Sequence, residues 1–364
     1  MNIADICQVL EQWAPPILQE SYDNCGLLTG DPQAVCTGVL CALDVTESVI
    51  EEAEANGCNL VVAHHPLIFG ALRRIDPHHP VGRTLIRAIQ KGIAVYAIHT
   101  NLDNVIHGVN GAMADRLELS DRQVLLPKSS HLKKLYTFVP ASHLEAVADA
   151  LFAAGAGHVG RYDQCSFRQL GEGSFRASAG TNPFIGKIGE QHREPEWKLE
   201  VLYPAHLEKA VVLALQGAHP YEEVAYDLVM LSNPHPSLGS GLIGELPQPM
   251  DPASFLDRVK SAFGCSVLRY TGASNTPIRR VALCGGAGSF LISKALASKA
   301  DAFLTADLKY HEFFEPDQKM LLVDLGHYES EQFTIGLIQS FLAEKFLNFA
   351  VLKTERITNP VRYH

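Results

Sequence analysis

Short apolar runs recur along the chain, each bounded by turn residues, and most are followed by a stretch with helical spacing. Residues 38–44, 60–63 and 93–98 are such runs, with helices expected from about Glu47 to Asn56, from near Val81 and after Gly108. Residues 281–284, 302–305, 321–325 and 349–352 repeat the rhythm, with helices expected after Gly288 and from near Tyr328. Continuous apolar strands alternating with amphipathic helices predict an α/β fold with a mostly parallel, doubly covered sheet. Ile3, Ile6, Leu10 and Trp13 share one helical face, which predicts an amphipathic opening helix.

The middle follows a different rhythm. A strand is expected over 135–139, a helix over 143–154, a Gly- and Ser-rich hairpin around 171–190, a helix over 205–216 and a strand over 225–231. Strand, helix, two strands, helix, strand resembles a ferredoxin-like α+β unit. Residues 129–236 therefore read as an insertion into one discontinuous α/β domain made of 1–128 and 237–364, with 233–241 as the return linker. The two outer segments look like related α/β halves.

Composition narrows the function. A chain of 364 residues is too long for one compact core, and 47% hydrophobic with 19% charged residues is ordinary globular composition. Thirty Lys and Arg against forty Asp and Glu give a net charge of −10, with no basic run, so a general grip on nucleic acid is not expected. A small anionic ligand stays open, because bound metal ions can supply local positive charge. The opening helix lacks the basic start and apolar block of a signal peptide, and no stretch reaches the roughly 18 apolar residues of a membrane span. Eight cysteines without a Cys-x-x-Cys pair suit reduced thiols and a cytoplasmic location better than a disulfide scaffold.

Candidate chemistry gathers where strands end. Val62-Ala-His64-His65-Pro66 puts adjacent histidines at a strand's carboxyl end, where α/β sheets bind ligands. Adjacent side chains point apart, so each can serve one of two closely spaced metals; the competing reading is a pair of loop histidines satisfied by hydrogen bonds. His78-His79-Pro80 repeats the tripeptide without an apolar strand before it and is assigned to the surface. A third strand ends in His99-Thr-Asn-Leu-Asp103, where Asp103 offers a hard oxygen and His99 a supporting partner, a proton shuttle or a structural histidine. Farther on, His327 and Glu331 stand one helical turn apart, so both can face one point while Glu329 points away. Three His and two carboxylates, His64, His65, Asp103, His327 and Glu331, suit two divalent ions such as Zn, Mn or Fe.

Weaker candidates surround these. Gly285-Gly-Ala-Gly288-Ser289 is either an anion-facing helix entry or a tight turn, and the dinucleotide fingerprint fails at Leu291. Asp307-Leu-Lys309 follows another strand end, where Lys309 would lend the cleft positive charge. Asp23 and Asn24 lie in a loop, 21–27, that is either a turn or a pocket wall. There is no Gly-x-Ser-x-Gly elbow and no Walker loop.

Six segments together resemble the GTP cyclohydrolase I type 2 homologue family, also called the Nif-three-like family. They are Tyr22-Asp-Asn-Cys-Gly-Leu27, His64-His-Pro-Leu-Ile-Phe69, His99-Thr-Asn-Leu-Asp103, Gly285-Gly-Ala-Gly-Ser289, Thr305-Ala-Asp307 and Gly326-His-Tyr-Glu-Ser-Glu331. Gly155-Ala-Gly157-His-Val-Gly160 and His219-Pro-Tyr-Glu-Glu223 resemble the signatures of an insertion similar to the PII and CutA signalling proteins. Tyr22 and Ala306 depart from the more usual Trp and Gly.

The resemblance implies a dinuclear metal site carried by His64, His65, Asp103, His327 and Glu331, and a homohexameric ring. It also implies a hydrolase that opens the GTP imidazole ring to dihydroneopterin triphosphate and formate. On that expectation a metal-activated water attacks, His99 moves protons, and Asp23, Asn24 and Lys309 contact substrate. The rival expectations are a non-catalytic metal-binding protein that senses a small ligand through its insertion, and a metal-dependent phosphoesterase or amidase.

Overall fold

A computed structural model describes residues 1–272 and 276–364. The first segment holds α1 (Ile3–Trp13), β1 (Gly26–Thr29), β2 (Val39–Ala42), α2 (Glu47–Ala55), β3 (Leu60–Ala63), α3 (Pro80–Gln90), β4 (Ala94–Ala97), the single turn α4 (Thr100–Asp103), α5 (Val109–Arg116) and β5 (Ser120–Pro127). Next come β6 (Leu132–Pro140), α6 (Leu144–Ala153), β7 (Ser166–Arg176), β8 (Gln191–Pro204), α7 (Glu208–Ala218) and β9 (Tyr226–Leu231). The last segment holds β10 (Gly239–Met250), α8 (Pro252–Phe263), β11 (Arg269–Thr271), β12 (Ile278–Ala287), α9 (Ile292–Ala297), β13 (Ala302–Ala306), β14 (Leu321–Asp324), α10 (His327–Glu331), α11 (Thr334–Lys345) and β15 (Val351–Lys353). Among the described residues, no helix is long and apolar enough to cross a membrane.

The chain divides into two compact units, residues 1–127 with 237–364, and residues 128–236. In the first, one sheet runs β1-β4-β3-β2-β15 and a second runs β11-β14-β13-β12-β10-β5. The strands β4, β3, β2 and β15 are parallel, as are β12, β13 and β14. Antiparallel β1, β5, β10 and β11 complete the sheets, so the first sheet is mostly parallel, as read from its strands, and the second is mixed.

Burial on both faces explains the unbroken apolar strands. Val62 and Tyr96 pack with α1 and α11, whereas Val61 and Val95 pack on the opposite face with α2 and α3. In the second sheet Leu304 packs with α5 and α8 while Phe303 faces α9. Local chemistry sets the helix starts. Asn2 and Asp5 form a reciprocal capping box on α1, and Pro80 opens α3 with its ring already at helical φ.

Several elements differ from the sequence reading. Residues read as a return linker already belong to β10 from Gly239 onward, and β1 begins inside the loop read over 21–27. Glycines and prolines interrupt the apolar alternation in both places. The helix read from near Tyr328 is two, α10 and α11, separated at Gln332 and Phe333.

The inserted unit has strand order β7-β8-β6-β9, every pair antiparallel, with α6 and α7 packed on one face through Leu135, Val139, Leu199, Val201 and Tyr203. Its ends meet, since the His235 N–H donates to the Lys128 carbonyl at 2.8 Å. Adjacent ends let a short linker replace the unit without stretching the remaining chain. We predict that a deletion of 128–236 closed by a Gly-Ser linker gives soluble, cooperatively unfolding protein with unchanged metal content. An insoluble product, or one that binds no metal, contradicts this.

Candidate metal centre

Both sheets of the first unit deliver polar side chains at the carboxyl ends of their parallel strands. Asp44 follows β2, His64 and His65 follow β3, and His99 and Asp103 follow β4. From the second sheet, Asp307 follows β13, and β14 leads into His327 and Glu331 on α10. Backbone ladders consume the strands' own polar groups, so this edge is where side chains can converge.

His64 is completely buried and its Nδ1 donates to the Ile98 carbonyl at 2.9 Å, which leaves Nε2 as a lone pair. That nitrogen lies 3.7 Å from Asp103 Oδ1 and 3.8 Å from Glu331 Oε1. His64 Nε2 and Asp103 Oδ1 are buried without any hydrogen-bond partner. Three acceptors face one point, and what satisfies all of them is a cation.

A second group adjoins the first through the other oxygen of Glu331. His65 Nε2 lies 2.9 Å and His327 Nε2 3.0 Å from Glu331 Oε2, and the two nitrogens are 3.3 Å apart. Asp44 takes the Nδ1 proton of His65 and Asp307 that of His327, each at 2.7 Å. Carboxylates at Nδ1 orient imidazoles and raise the basicity of Nε2, the usual support for metal-binding histidines. His64, Asp103 and Glu331 form one set able to hold a metal ion, His65, His327 and Glu331 another, and His64, His65 and His99 a third.

Without a cation, protons carry the balance. Burial alone would lower His65, but hydrogen bonds to Asp44 and Glu331 lift it to about 9. Burial likewise opposes the rise of His327, which Asp307 and Glu331 carry to about 11. Burial pushes Asp103 up to about 6. Burial works against ionisation of Glu331 too, yet hydrogen bonds with His327 and His65 and the nearby His64 ring hold it well below the usual carboxylate range.

The glycine run makes room for this carboxylate. Gly286, at φ +60°, stands where an added Cβ would lie 2.4 Å from Glu331 Oε1. Three of the run's N–H groups are already used: Gly285 donates to Asn110 Oδ1, Gly286 to Ser330 Oγ and Gly288 to Thr305 Oγ1. The run ends β12, and Gly288 caps a helical turn over Ser289–Leu291 that leads into α9, so it does open a helix, but the N–H groups of Gly285, Gly286 and Gly288 are held by the fold.

The remaining candidates separate. His99 donates Nδ1–H to Asp23 Oδ1 at 2.8 Å, and its ring centroid lies 5.2 Å from that of His64. Asp23 also accepts from the Thr100 N–H and hydroxyl, and the Asn24 amide donates to the Ile68 carbonyl at 2.7 Å; both line a small pocket with Ile68 and Phe69, apart from the cleft over the imidazoles. Lys309 is exposed and does not line the cleft over the imidazoles; its backbone begins a tight turn that carries the side chain elsewhere. Glu329 turns to Asn359, and His78 and His79 are exposed. The supporting role of Asp44 was not read from the sequence, and Asp307 was noted only within a motif. The signal available for both was their place at the ends of strands.

A cleft of 500 Å³ opens over the cluster, lined by His65, His99, Asp103, His327 and Glu331 and walled by Tyr22, Phe69 and Phe290. No Lys or Arg is among its lining residues. Two sheets meeting at a histidine–carboxylate cluster define an α/β protein equipped to hold divalent metal. The chain matches Duf34/NIF3 (NGG1p interacting factor 3) over residues 1–360 and belongs to that family. It is 40% identical to a Halalkalibacterium halodurans protein named GTP cyclohydrolase 1 type 2 homolog, covering all of both chains. A Bacillus subtilis protein of the same name is 38% identical, with 100% of this chain and 99% of that one covered. A crystal structure of a Bacillus cereus protein related to NIF3 is similar at a TM-score of 0.88 and 35% identity, covering 100% of this chain and 99% of the other.

Two predictions follow from the geometry. Asp44→Ala and Asp307→Ala should each weaken metal affinity by about 10–100-fold while leaving the fold intact, as competition with a chelator will measure. Metal uptake should also release protons. His65 and His327 are raised to about 9 and 11 without metal and are protonated at neutral pH, whereas ligation needs neutral rings. Their contribution to metal-free stability is complete below the ordinary His value of about 6.5 and is lost as pH rises through 9 and then 11. Metal affinity should therefore climb from pH 7 to 9, with a calorimetric heat that depends on the buffer's ionisation enthalpy.

Proposed function

We propose that the chain holds two divalent ions and is a metal-dependent hydrolase of a nucleotide-like substrate, with GTP the best specific assignment. The observation carrying this reading is the pair of orphaned acceptors, His64 Nε2 and Asp103 Oδ1, facing a carboxylate whose other oxygen meets two more imidazoles. His64 and Asp103 would hold one ion, His65 and His327 the other, and Glu331 would bridge. Bound there, the ions supply Lewis acidity toward water and toward an anionic substrate. Relatives named GTP cyclohydrolase 1 type 2 homolog support the substrate assignment.

The chain's own groups support the rest. His99 presents its remaining nitrogen to the cleft from a ring fixed by Asp23, the arrangement of a proton-transfer group. Tyr22, Phe69 and Phe290 are exposed aromatics on the cleft wall and offer faces for a heteroaromatic base. The acidic cleft repels a triphosphate, so substrate affinity depends on the metals. The expected products are formate and dihydroneopterin triphosphate. The strand order of residues 128–236 supports a ferredoxin-like module of the PII/CutA kind, and family resemblance supports a homohexamer in the cytoplasm.

Elemental analysis of metal-saturated protein should give two ions per chain, and Glu331→Ala should lose both; one ion or none in the unmutated protein removes the dinuclear reading. Incubation with a nucleotide panel, read by mass spectrometry, should show turnover of GTP. Asp103→Ala should abolish it with the far-ultraviolet circular dichroism unchanged. Metal-replete, folded protein that converts no nucleotide overturns the hydrolase assignment.

A further inference from the structure

The inserted unit encloses a second cavity, of 640 Å³, built wholly from its own residues. It lies on the sheet face opposite α6 and α7. Leu135, Val139, Leu199 and Val201 point to those helices, whereas Phe138, Glu196 and Lys198 alternate to the other side. The loop 177–190 between β7 and β8 closes over it, tethered by the Asn182 N–H donating to Glu222 Oε2 at 2.8 Å. Phe138, Phe175, Phe184 and Tyr221 form the walls, with the Phe175 and Phe184 rings 6.2 and 6.1 Å from that of Tyr221.

One carboxylate is buried in this aromatic chamber. Glu196 is 7% exposed, and among the described residues no ion pair neutralises it. An added Cβ at Gly173 would lie 2.0 Å from Glu196 Oε2, so the glycine leaves the space this carboxylate occupies. The Tyr221 hydroxyl faces Glu196, yet it is buried without closing a hydrogen bond of normal geometry.

The nearby cations are engaged or outside. Lys198 donates to Glu200 at 2.8 Å and lies over the Tyr136 ring, and Arg176 is exposed, where water screens it. A buried carboxylate can only accept hydrogen bonds, so it calls for a cationic donor, and aromatic faces attract the same charge. Among the described residues, the side-chain groups suited to an inorganic metal all lie in the other unit. The chamber is mostly apolar and within the size range of small-molecule sites.

We propose that this cavity binds an organic ammonium ligand, its cationic head on Glu196 between the faces of Tyr221 and the phenylalanines, and its apolar body along the remaining wall. The test uses the full metal-loaded chain, titrated calorimetrically with tryptamine, choline and benzylamine, and with indole-3-propionate and 3-ethylindole as anionic and neutral counterparts of tryptamine. At least one amine should bind saturably, and tenfold or more tighter than the anionic and neutral indoles. Glu196→Gln should weaken that amine by about tenfold or more, since a charged hydrogen-bond partner is replaced by a neutral one, with metal content and circular dichroism unchanged. Phe184→Ala, on the covering loop and away from the sheet core, should weaken it several-fold and serves as the readout if Glu196→Gln misfolds. Absence of saturable binding by all three amines, equal binding of the indole counterparts, or affinity unmoved by the folded variants overturns the proposal.

Discussion

A carboxylate buried to 3% exposure, with each oxygen turned to a different set of nitrogens, is the constraint on which the rest of the first unit depends. Burying an isolated carboxylate costs several kcal/mol, about the scale of a domain's whole stability, so Glu331 is tolerable only with charge around it. Its surroundings are arranged accordingly. Ser330 accepts the Gly286 N–H and donates to the His327 carbonyl, which locks the single turn of α10 against β12. Gly286 in turn leaves space for the carboxylate itself. The adjoining strand, turn and glycine are thus shaped around one side chain.

The imidazoles follow a common rule. Each of His64, His65, His99 and His327 bonds through Nδ1 to an acceptor of the fold, respectively Ile98 O, Asp44, Asp23 and Asp307. Fixing Nδ1 selects the tautomer and leaves Nε2 as the chemically available nitrogen. The support extends outward as well. Thr358, in the segment after β15, donates to the second oxygen of Asp44, and Asn359 donates to Glu329 beside the cluster. Residues near the end of the chain thereby help set the orientation of His65, and Asn359 and Tyr363 line a pocket on the side of His65 and His327.

What could be seen in the sequence divides along physical lines. Helix-alternating apolar runs disclose strands buried on both faces, and a His or Asp just past such a run stands at the edge where ligands bind; His64, His65 and Asp103 were visible on that ground. His327 and Glu331 were visible through helical spacing, and they meet at 3.0 Å. Asp44 and Asp307 were harder to see, because a lone Asp after a strand is common and its value lies in a histidine distant along the chain. Asp23 and Asn24 read as pocket residues because their loop is polar; they line a small pocket beside Phe69, and hydrogen bonds to His99, Thr100 and Ile68 also hold them in place. The long strands escaped notice because Gly and Pro interrupt the alternation of β10 and the first half of β5 is wholly polar, while pairing with each other and of β10 with β12 supplies the order that local propensity lacks.

The cleft and the inserted cavity handle charge in opposite ways. Around the cleft, among the described residues, no Lys or Arg joins the lining, and the imidazoles there already face carboxylates, so the protein alone leaves little positive charge free for an anion. Ions held by the same acceptors would supply that attraction, which would tie a hold on a phosphate to prior metal loading. In the inserted cavity one of the four lining glutamates, Glu196, is buried among aromatic faces while Glu172, Glu222 and Glu223 are exposed, an arrangement suited to one ammonium group. The first site follows from buried acceptors that the chain itself does not satisfy, the second from a buried carboxylate that, among the described residues, has no ion pair. The number and geometry of those acceptors, rather than the net charge of −10, determine which cation each can take.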